Sequence, residues 1–131
     1  MAWTQFLDRP EQLEGLFKYG PLLAGFRLAE ISWDYDEGAC LIRGALSQFA
    51  DFPQPNWEDD ANRVGLRLRL EGVEDFEFEG PHLLEPIDLS LEAQRDGALL
   101  LLAEAEELKL RVRFVSLKID DIFAFHSRDR P

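Results

Sequence analysis

Residues 49–70 read FADFPQPNWEDDANRVGLRLRL and combine an unusual loop with the clearest strand of the chain. In the second half, Val64, Leu66, Leu68 and Leu70 are apolar, and the residues between them are glycine or arginine. Alternation with period two places every apolar side chain on one face of a β-strand and every charge on the other. The first half is rich in proline, aromatic and acidic residues, which is typical of a loop. We therefore expect a prominent loop that stands on a half-buried sheet.

The rest of the chain also alternates, and its apolar runs predict about eight strands with short connections. Short connections favour antiparallel neighbours, because parallel strands need a long crossover. Residues 1–24 predict a helical segment, residues 25–126 an antiparallel sheet and residues 127–131 a loose tail of a single domain. The expected fold class is α+β, mainly β. It is a meander-rich antiparallel sheet, curled or closed into a sandwich, with the N-terminal helix packed on it.

Local signals place the turns of this sheet. The first strand has a register irregularity near Ala29, and Gly38 supplies a positive φ in the turn of residues 34–38. Asp96 and Gly97 predict another hairpin turn. Gly72 predicts a hairpin as well.

That hairpin makes a further prediction about charge. The arginines before Gly72 would face the glutamates after it, as opposite charges do across an antiparallel ladder. The residues concerned are Arg67 and Arg69 on one strand, and Glu77 and Glu79 on the other.

The charge balance restricts the partners. The 131 residues carry 26 acidic and 14 basic side chains, a net charge of −12. Such a field repels nucleic acid and anionic membranes, because their phosphate groups are also negative. Binding to nucleic acid also requires Lys and Arg to neutralise the phosphates, and these residues are in the minority here. It also steers a basic partner inward, although an acidic surface serves solubility in many proteins. We expect no nucleic-acid and no membrane partner.

We expect a cytoplasmic protein, from the N-terminal residues and the lengths of the apolar runs. The N-terminus lacks the basic start and apolar core of a signal peptide, and no apolar run is long enough to cross a bilayer. Cys40 is the only cysteine and stands between apolar neighbours, so a buried, inert thiol is expected.

The sequence shows no constellation of catalytic or metal-binding residues. Neither His82 nor His126 stands at a ligand spacing from another histidine, cysteine or carboxylate. Residues 34–38 have the carboxylates of a calcium loop but not its closing glutamate. We expect no cofactor, no metal and no enzymatic activity.

Trp57 has two interpretations. In the first, Phe52 and Trp57 fold back and plug one end of the sheet, as bulky aromatic residues between prolines commonly do. In the second, the tryptophan contacts a partner, since tryptophan is over-represented among interface anchors. The sequence leaves both open.

The run FPQPNW at residues 52–57, followed by an acidic gap and the strand to Leu70, resembles a family of bacterial immunity proteins. It is the family numbered fifty among those encoded beside polymorphic toxins. The early segment of residues 17–21, the hairpin and the aromatic strand at residues 122–125 follow the same order. The resemblance covers residues 13–126. It implies a cytoplasmic protein that binds and neutralises a cognate toxin domain without catalysis.

The mechanism that the resemblance implies is occlusion. An acidic face approaches a basic toxin domain rapidly, because opposite potentials accelerate encounter. The expected contact residues lie in the loop, with a second patch in the first hairpin turn. They are Asp51, Trp57, Glu58, Asp59 and Asp60 in the loop, and Asp34, Asp36 and Glu37 in the turn.

Other classes of protein remain open. A curled sheet of about eight strands can hold one small ligand, so a ligand-binding β domain or an unrecognised hydrolase is the alternative. Its inward positions would then carry polar groups, whereas the sequence places Leu, Val and Phe there. A structural oligomerisation domain is a third possibility, and the sequence leaves the oligomeric state open.

Overall fold

The computed structural model describes residues 3–19, 21–80, 86–105 and 108–127. Those residues form a 3-10 helix, one short α-helix and eight β-strands. Their bounds are Trp3–Phe6 for the 3-10 helix, Glu11–Glu14 for α1, Arg27–Asp34 for β1, Ala39–Ala45 for β2, Arg63–Glu71 for β3, Asp75–Glu79 for β4, Leu89–Ala93 for β5, Leu99–Ala105 for β6, Leu108–Phe114 for β7 and Ser116–Phe125 for β8.

The strands form two antiparallel sheets of four. The first sheet has the order β1-β2-β3-β8, and the second has the order β4-β7-β6-β5. Both sheets send their apolar side chains into one core, in which Leu66 of β3 and Val112 of β7 are fully buried. The mainly β, antiparallel fold class is therefore confirmed, with the strands divided between two sheets.

Strand β3 has the alternation that its sequence predicts. Its four apolar side chains are buried in the core, while Arg67, Arg69 and Glu71 lie on the opposite face and are partly exposed. β3 pairs with β2 on one side and with β8 on the other, so it lies inside the first sheet.

Gly72 is a corner between the sheets, so the prediction of a hairpin there is wrong. β3 pairs with β8 in the first sheet, whereas β4 pairs with β7 in the second. The chain passes between the sheets at Gly72 and returns beside it at Val115, whose N–H donates to the carbonyl of Glu71 at 2.9 Å. A Cβ on Gly72 would lie 2.8 Å from the Val115 side chain, and its φ is 68°. Both constraints favour glycine at this corner.

The expected facing of arginines and glutamates across that hairpin is also wrong. Arg67 instead lies 3.6 Å from Asp120, and Lys109 pairs with Glu77 at 3.4 Å. Opposite charges do face each other across other ladders, among them β1–β2, β3–β8 and β4–β7.

The other local turn predictions are confirmed. The β1–β2 register shifts between Leu28 and Glu30, on either side of Ala29. Gly38 and Gly97 have φ values of 64° and 90° and turn the chain into β2 and β6.

The N-terminal segment is less helical than predicted. Within residues 3–19 and 21–24, only Trp3–Phe6 and Glu11–Glu14 are helical, each for four residues, and α1 has no side-chain cap at its start. Helices this short are not stable by their own hydrogen bonds, so packing holds the segment. Leu13, Leu16 and Phe17 are buried in the core, as expected.

Ser127, near the C-terminus, is held by two hydrogen bonds to Asn62. The backbone N–H of Ser127 donates to Asn62 Oδ1 at 2.8 Å, and Asn62 Nδ2 donates back to the Ser127 carbonyl at 2.8 Å. Ser127 is therefore not part of a loose tail, and residues 128–131 lie outside the described residues.

Candidate functional site

The two acidic regions singled out from the sequence lie at opposite ends of the first sheet. The Pro–Trp loop, residues 46–62, connects β2 to β3. The hairpin turn, residues 34–38, connects β1 to β2 at the other end of the same strand. With seven residues in β2, the two regions are about 20 Å apart. They form two separate surfaces.

Trp57 anchors the Pro–Trp loop to the core. Its half-buried ring packs against the core, with its centroid 6.1 Å from that of Phe49. Phe52, by contrast, is 56% exposed. The core contact agrees with the plug interpretation for Trp57, whose half-buried ring also keeps an exposed part. Phe52 does not fold back into the core.

The loop is also held by the N-terminal segment. The backbone N–H of Lys18 donates to the Asp51 carboxylate at 2.8 Å, and the N–H of Phe52 donates to the Leu16 carbonyl at 3.0 Å. The N–H of Leu22 donates to Gln48 Oε1 at 2.8 Å. Asp51 thus has a structural partner as well as an exposed position.

The acidic run of the loop, Glu58, Asp59 and Asp60, is exposed. None of the three carboxylates forms an ion pair or hydrogen bond with a residue that the structure describes. The backbone of the run is nevertheless fixed, since the Asp60 carbonyl lies 3.0 Å from His126 Nδ1 and the Glu58 carbonyl accepts from Ala61. The run therefore presents charge from a supported position.

The Pro–Trp loop end of the molecule also has large apolar side chains on its surface. Tyr19 is 76% exposed and Leu22 is 59% exposed, and both lie on the segment that runs along the loop. With Phe52, they give this end of the molecule three large apolar side chains on its surface. Aromatic residues beside charged ones are common at protein interfaces.

In the hairpin turn, one of the three carboxylates has an internal partner. Asp34 lies 3.2 Å from Arg69 Nη2 and also accepts the backbone N–H of Glu37 at 3.3 Å. Asp36 and Glu37 are exposed and form no side-chain ion pair with a described residue.

Beside the turn, Glu71 forms the centre of a charge network. Lys118 Nζ lies 2.8 Å from its carboxylate, and Arg69 Nε lies 3.2 Å away. Hydrogen bonds from Lys118 first, and then from Arg69, lower the pKa of Glu71 below its ordinary value. Hydrogen bonds to Asp34 and Glu71 raise the pKa of Arg69.

The cysteine and the candidate metal ligands were examined for signs of a site. Burial raises the pKa of the Cys40 thiol to about 11, so this buried cysteine is protonated at neutral pH, as expected of an inert thiol. Within residues 3–19, 21–80, 86–105 and 108–127, no group of three His, Cys, Asp or Glu side chains could hold a metal ion. His82 lies outside these ranges. No helix among them is long and apolar enough to span a membrane.

Sequence reasoning missed a trough on the outer face of the first sheet. One row of paired residues crosses all four strands: Arg27 of β1, Ala45 of β2, Gly65 of β3 and Phe123 of β8. The Phe123 ring covers Gly65, where a Cβ would lie 2.3 Å from it, and the small side chain of Ala45 leaves space next to Arg27. The resulting cavity has a volume of about 580 Å³.

Basic and aromatic side chains both line the trough, and Arg63 is the ladder partner of Phe125. Arg27, Arg43 and Arg63 line it together with Phe123 and Phe125. No described carboxylate lines it. These residues come from four strands, and only the pairing register brings them together. The one signal in the sequence was the alternation of arginine with a small residue in β2 and β3, at Arg43 and Ala45 and at Arg63 and Gly65.

Comparison with protein-family models, with curated proteins and with solved structures found no significant match to this chain.

Proposed function

We propose that this protein is a non-catalytic immunity protein that binds a cognate toxin domain and blocks it, as the family resemblance implies. The observation that carries the proposal is the exposed acidic run of the Pro–Trp loop, Glu58, Asp59 and Asp60. These three carboxylates have no ion-pair partner among the described residues, whereas many strand carboxylates face an arginine or a lysine. Carboxylates that do not stabilise the fold remain available to a partner.

Support for the loop as a contact surface comes from its rigidity. Trp57 packs on the core and the Asp60 backbone contacts His126, so the charges are already held in place before a partner arrives. Binding then costs less conformational entropy than ordering a flexible loop would. Phe52 of the same loop and Tyr19 of the segment that holds the loop are exposed and supply apolar area that charges alone lack.

The proposed partner is a basic toxin domain. Toxins that cleave nucleic acid have basic substrate clefts, and an acidic surface complements such a cleft in charge. Encounter between opposite potentials is fast and depends on salt. The proposed mechanism is occlusion, in which the loop end covers the cleft and no bond is made or broken.

The experiment measures binding to the toxin domain encoded by the neighbouring gene, at rising salt. Two matched double variants separate the two acidic surfaces: Glu58→Gln with Asp59→Asn in the loop, and Asp36→Asn with Glu37→Gln in the hairpin turn. Each removes one exposed Asp and one exposed Glu that lack a described ion pair. We expect the loop variant to weaken binding by roughly three- to tenfold, mainly through slower association, and the turn variant to leave it unchanged.

The opposite pattern would move the contact surface to the hairpin turn. An affinity that does not change with salt would contradict the charge mechanism. Absence of binding, together with unabated toxicity in cells that express both proteins, would contradict the proposed function as a whole.

A further inference from the structure

We propose that the outer edge of β4 binds an extended peptide strand in which apolar residues alternate with lysine or arginine, so that the second sheet gains a fifth strand. The site lies at the hairpin-turn end of the molecule, where the N–H of Val73 donates to the Gly38 carbonyl at 3.2 Å. It is distinct from the Pro–Trp loop and does not depend on the proposed toxin partner. The unpaired edge, the acidic face and the aromatic face of β4 together define the ligand.

Strand β4 lies at the border of the second sheet. In the order β4-β7-β6-β5 it pairs only with β7 among the described strands. Alternate residues of an antiparallel strand direct their N–H and C=O groups away from the partner, and at an edge those groups remain unpaired. None of the described residues outside β7 forms a backbone hydrogen bond with Asp75–Glu79. Extended peptides add to such an edge by pairing with its free backbone groups.

The other three edge strands have features that hinder an added strand. The edges of the first sheet have register shifts, in β1 at Ala29 and in β8 at Asp120. The start of β5 is covered, since the N–H of Leu89 donates to the Leu23 carbonyl at 3.2 Å. β4 stays in continuous register with β7 over its five residues and contains no proline. Because bulges and covering segments protect an edge, β4 is the described edge that is most open to a new strand.

The outward face of β4 is acidic and selects the charge of the ligand. Asp75, Glu77 and Glu79 alternate along this face. On the β7 side, Arg111 lies 2.9 Å from Asp75, and Lys109 lies 3.4 Å from Glu77. Opposite charges on neighbouring strands stabilise a ladder, whereas like charges destabilise it. A strand with lysine or arginine at the matching positions is therefore favoured on the free side as well.

The same charges disfavour a second copy of this chain as the occupant. Directly opposite side chains lie on the same face of a sheet, so two β4 strands that share an apolar face would set acidic residues against acidic residues. Asp36 and Glu37 of the adjoining hairpin turn are exposed and have no ion pair with a described residue. Their charges add to a negative potential that attracts a basic segment.

The other face of β4 gives the added strand an apolar surface. Phe76 and Phe78 are partly buried and pack against the core. The ring of Trp33 stands edge-on to that of Phe76, with centroids 4.7 Å apart and planes inclined by 74°, and Trp33 is 37% exposed. Apolar side chains of the added strand would lie on this face and bury part of these rings, which favours association.

The test uses three capped heptapeptides and NMR titration of the isotope-labelled full chain. Ac-TKVKVKT-NH2 has both features, Ac-TEVEVET-NH2 reverses the charge, and Ac-TVVTKKK-NH2 keeps the composition but loses the alternation. We expect the first peptide to bind with a Kd on the order of 0.1–1 mM. The other two should bind at least about tenfold more weakly, because one places like charges beside β4 and the other lacks separate apolar and basic faces.

Amide signals of the unmodified protein locate the binding without any variant. On addition of the first peptide, the backbone amides of Phe76, Glu77 and Phe78 should shift most. Those among them that point away from β7 should also exchange more slowly with solvent, because they enter new hydrogen bonds. The amides of β5, at the opposite edge of the same sheet, should not change.

A matched pair of charge reversals separates this edge from the general negative field of the protein. Glu79→Lys should weaken binding of the first peptide roughly tenfold, because it places a lysine beside a basic strand. Glu92→Lys, on β5, changes the net charge by the same amount and should weaken binding by less than about twofold. Both glutamates are exposed.

Equal binding of the alternating and the permuted peptide, or shifts confined to other regions, would overturn the proposal. So would equal effects of the two charge reversals, or no binding at several millimolar. Slow exchange of the β4 amides that depends on protein concentration, without any peptide, would show that a second copy occupies the edge and would overturn the proposal as well.

Discussion

At one end of the first sheet, the hairpin turn carries Asp34, Asp36 and Glu37; at the other end, the Pro–Trp loop carries Glu58, Asp59 and Asp60. The two runs have similar composition. In the turn, Asp34 is paired with Arg69, which also contacts Glu71. In the loop, all three carboxylates lack an ion pair with a described residue. Acidic residues that look alike in the sequence thus have different roles in the structure. Asp34 stabilises the fold through an ion pair, whereas Glu58, Asp59 and Asp60 remain available at the surface.

The difference follows from what lies beside each region. The turn adjoins the corner where the chain passes between the sheets, and the ladders there bring Arg69, Lys118 and Arg113 next to carboxylates. The loop is held instead by apolar contacts of Trp57 and by backbone hydrogen bonds. One end is therefore stabilised by charge and the other by packing. The predictions below test this contrast.

The largest effect is expected from Gly65→Val at the loop end of β3. The new side chain would collide with the Phe123 ring, since a Cβ alone would lie 2.3 Å from it. Displacing that ring shifts the end of β8, whose Phe125 carbonyl accepts from Asn62 in the loop. We expect a loss of about 3 kcal/mol in the free energy of unfolding, measured by urea denaturation. A variant as stable as the unmodified chain would contradict the packing of Phe123 on the β3 backbone.

Trp57→Ala should have the next largest effect. Replacing a fully buried aromatic residue with alanine costs about 3–5 kcal/mol, and Trp57 is half-buried, so we expect about 2 kcal/mol in urea denaturation. The control on the same loop is Phe52→Ala, whose exposed ring should contribute less than about 0.5 kcal/mol. Equal losses for the two variants would mean that Trp57 does not anchor the loop.

The features that the sequence predicted well are set by neighbouring residues. The alternation of β3 follows from side chains two positions apart, and the Gly38 and Gly97 turns follow from a positive φ at one residue. The irregularity near Ala29 interrupts an alternating pattern that is itself local. In such cases the determining contacts lie within a few residues of the signal.

The features that it missed depend on residues far apart in the chain. Gly72 has the local signature of a hairpin, and only its contact with Val115 makes it a corner between sheets. The trough depends on the register that aligns Arg27, Ala45, Gly65 and Phe123 across four strands. The sequence proposed Asp34 and Asp51 as partner-binding residues, but it gave no sign that each carboxylate also has a partner within the fold.

A smaller effect is expected at the hairpin end from Gly38→Ala. No atom lies within 4 Å of the position of the new Cβ, so steric collision is absent, and the cost comes from the φ of 64°. A residue other than glycine in the left-handed backbone region lowers the free energy of unfolding by about 1 kcal/mol. We expect a lower urea midpoint, with an unchanged dependence of the unfolding free energy on urea concentration. Gly97→Ala, which also has open space and a positive φ, is the matched case and should lose a similar amount. A much larger loss at Gly38 would show that the turn is packed, which would weaken the contrast with the loop end.

The smallest effect concerns pH and the charge network at the hairpin end. The folded state lowers the pKa of Glu71 below its ordinary value of 4.5, so it binds fewer protons there than the unfolded chain does. The contribution of the ionised Glu71 carboxylate to the stability of the folded state is therefore fully present above pH 4.5, and it is lost as the pH falls through the lowered pKa. Glu71→Gln should lower the Tm at pH 7 by a few degrees and make the decline of Tm between pH 5 and pH 3 shallower. Lys118→Gln should do the same to a lesser degree, because it removes the largest cause of the lowered pKa while Arg69 remains. If both variants decline as steeply as the unmodified chain, carboxylates elsewhere determine its acid sensitivity, and the hairpin end is not stabilised by charge in the way the contrast requires.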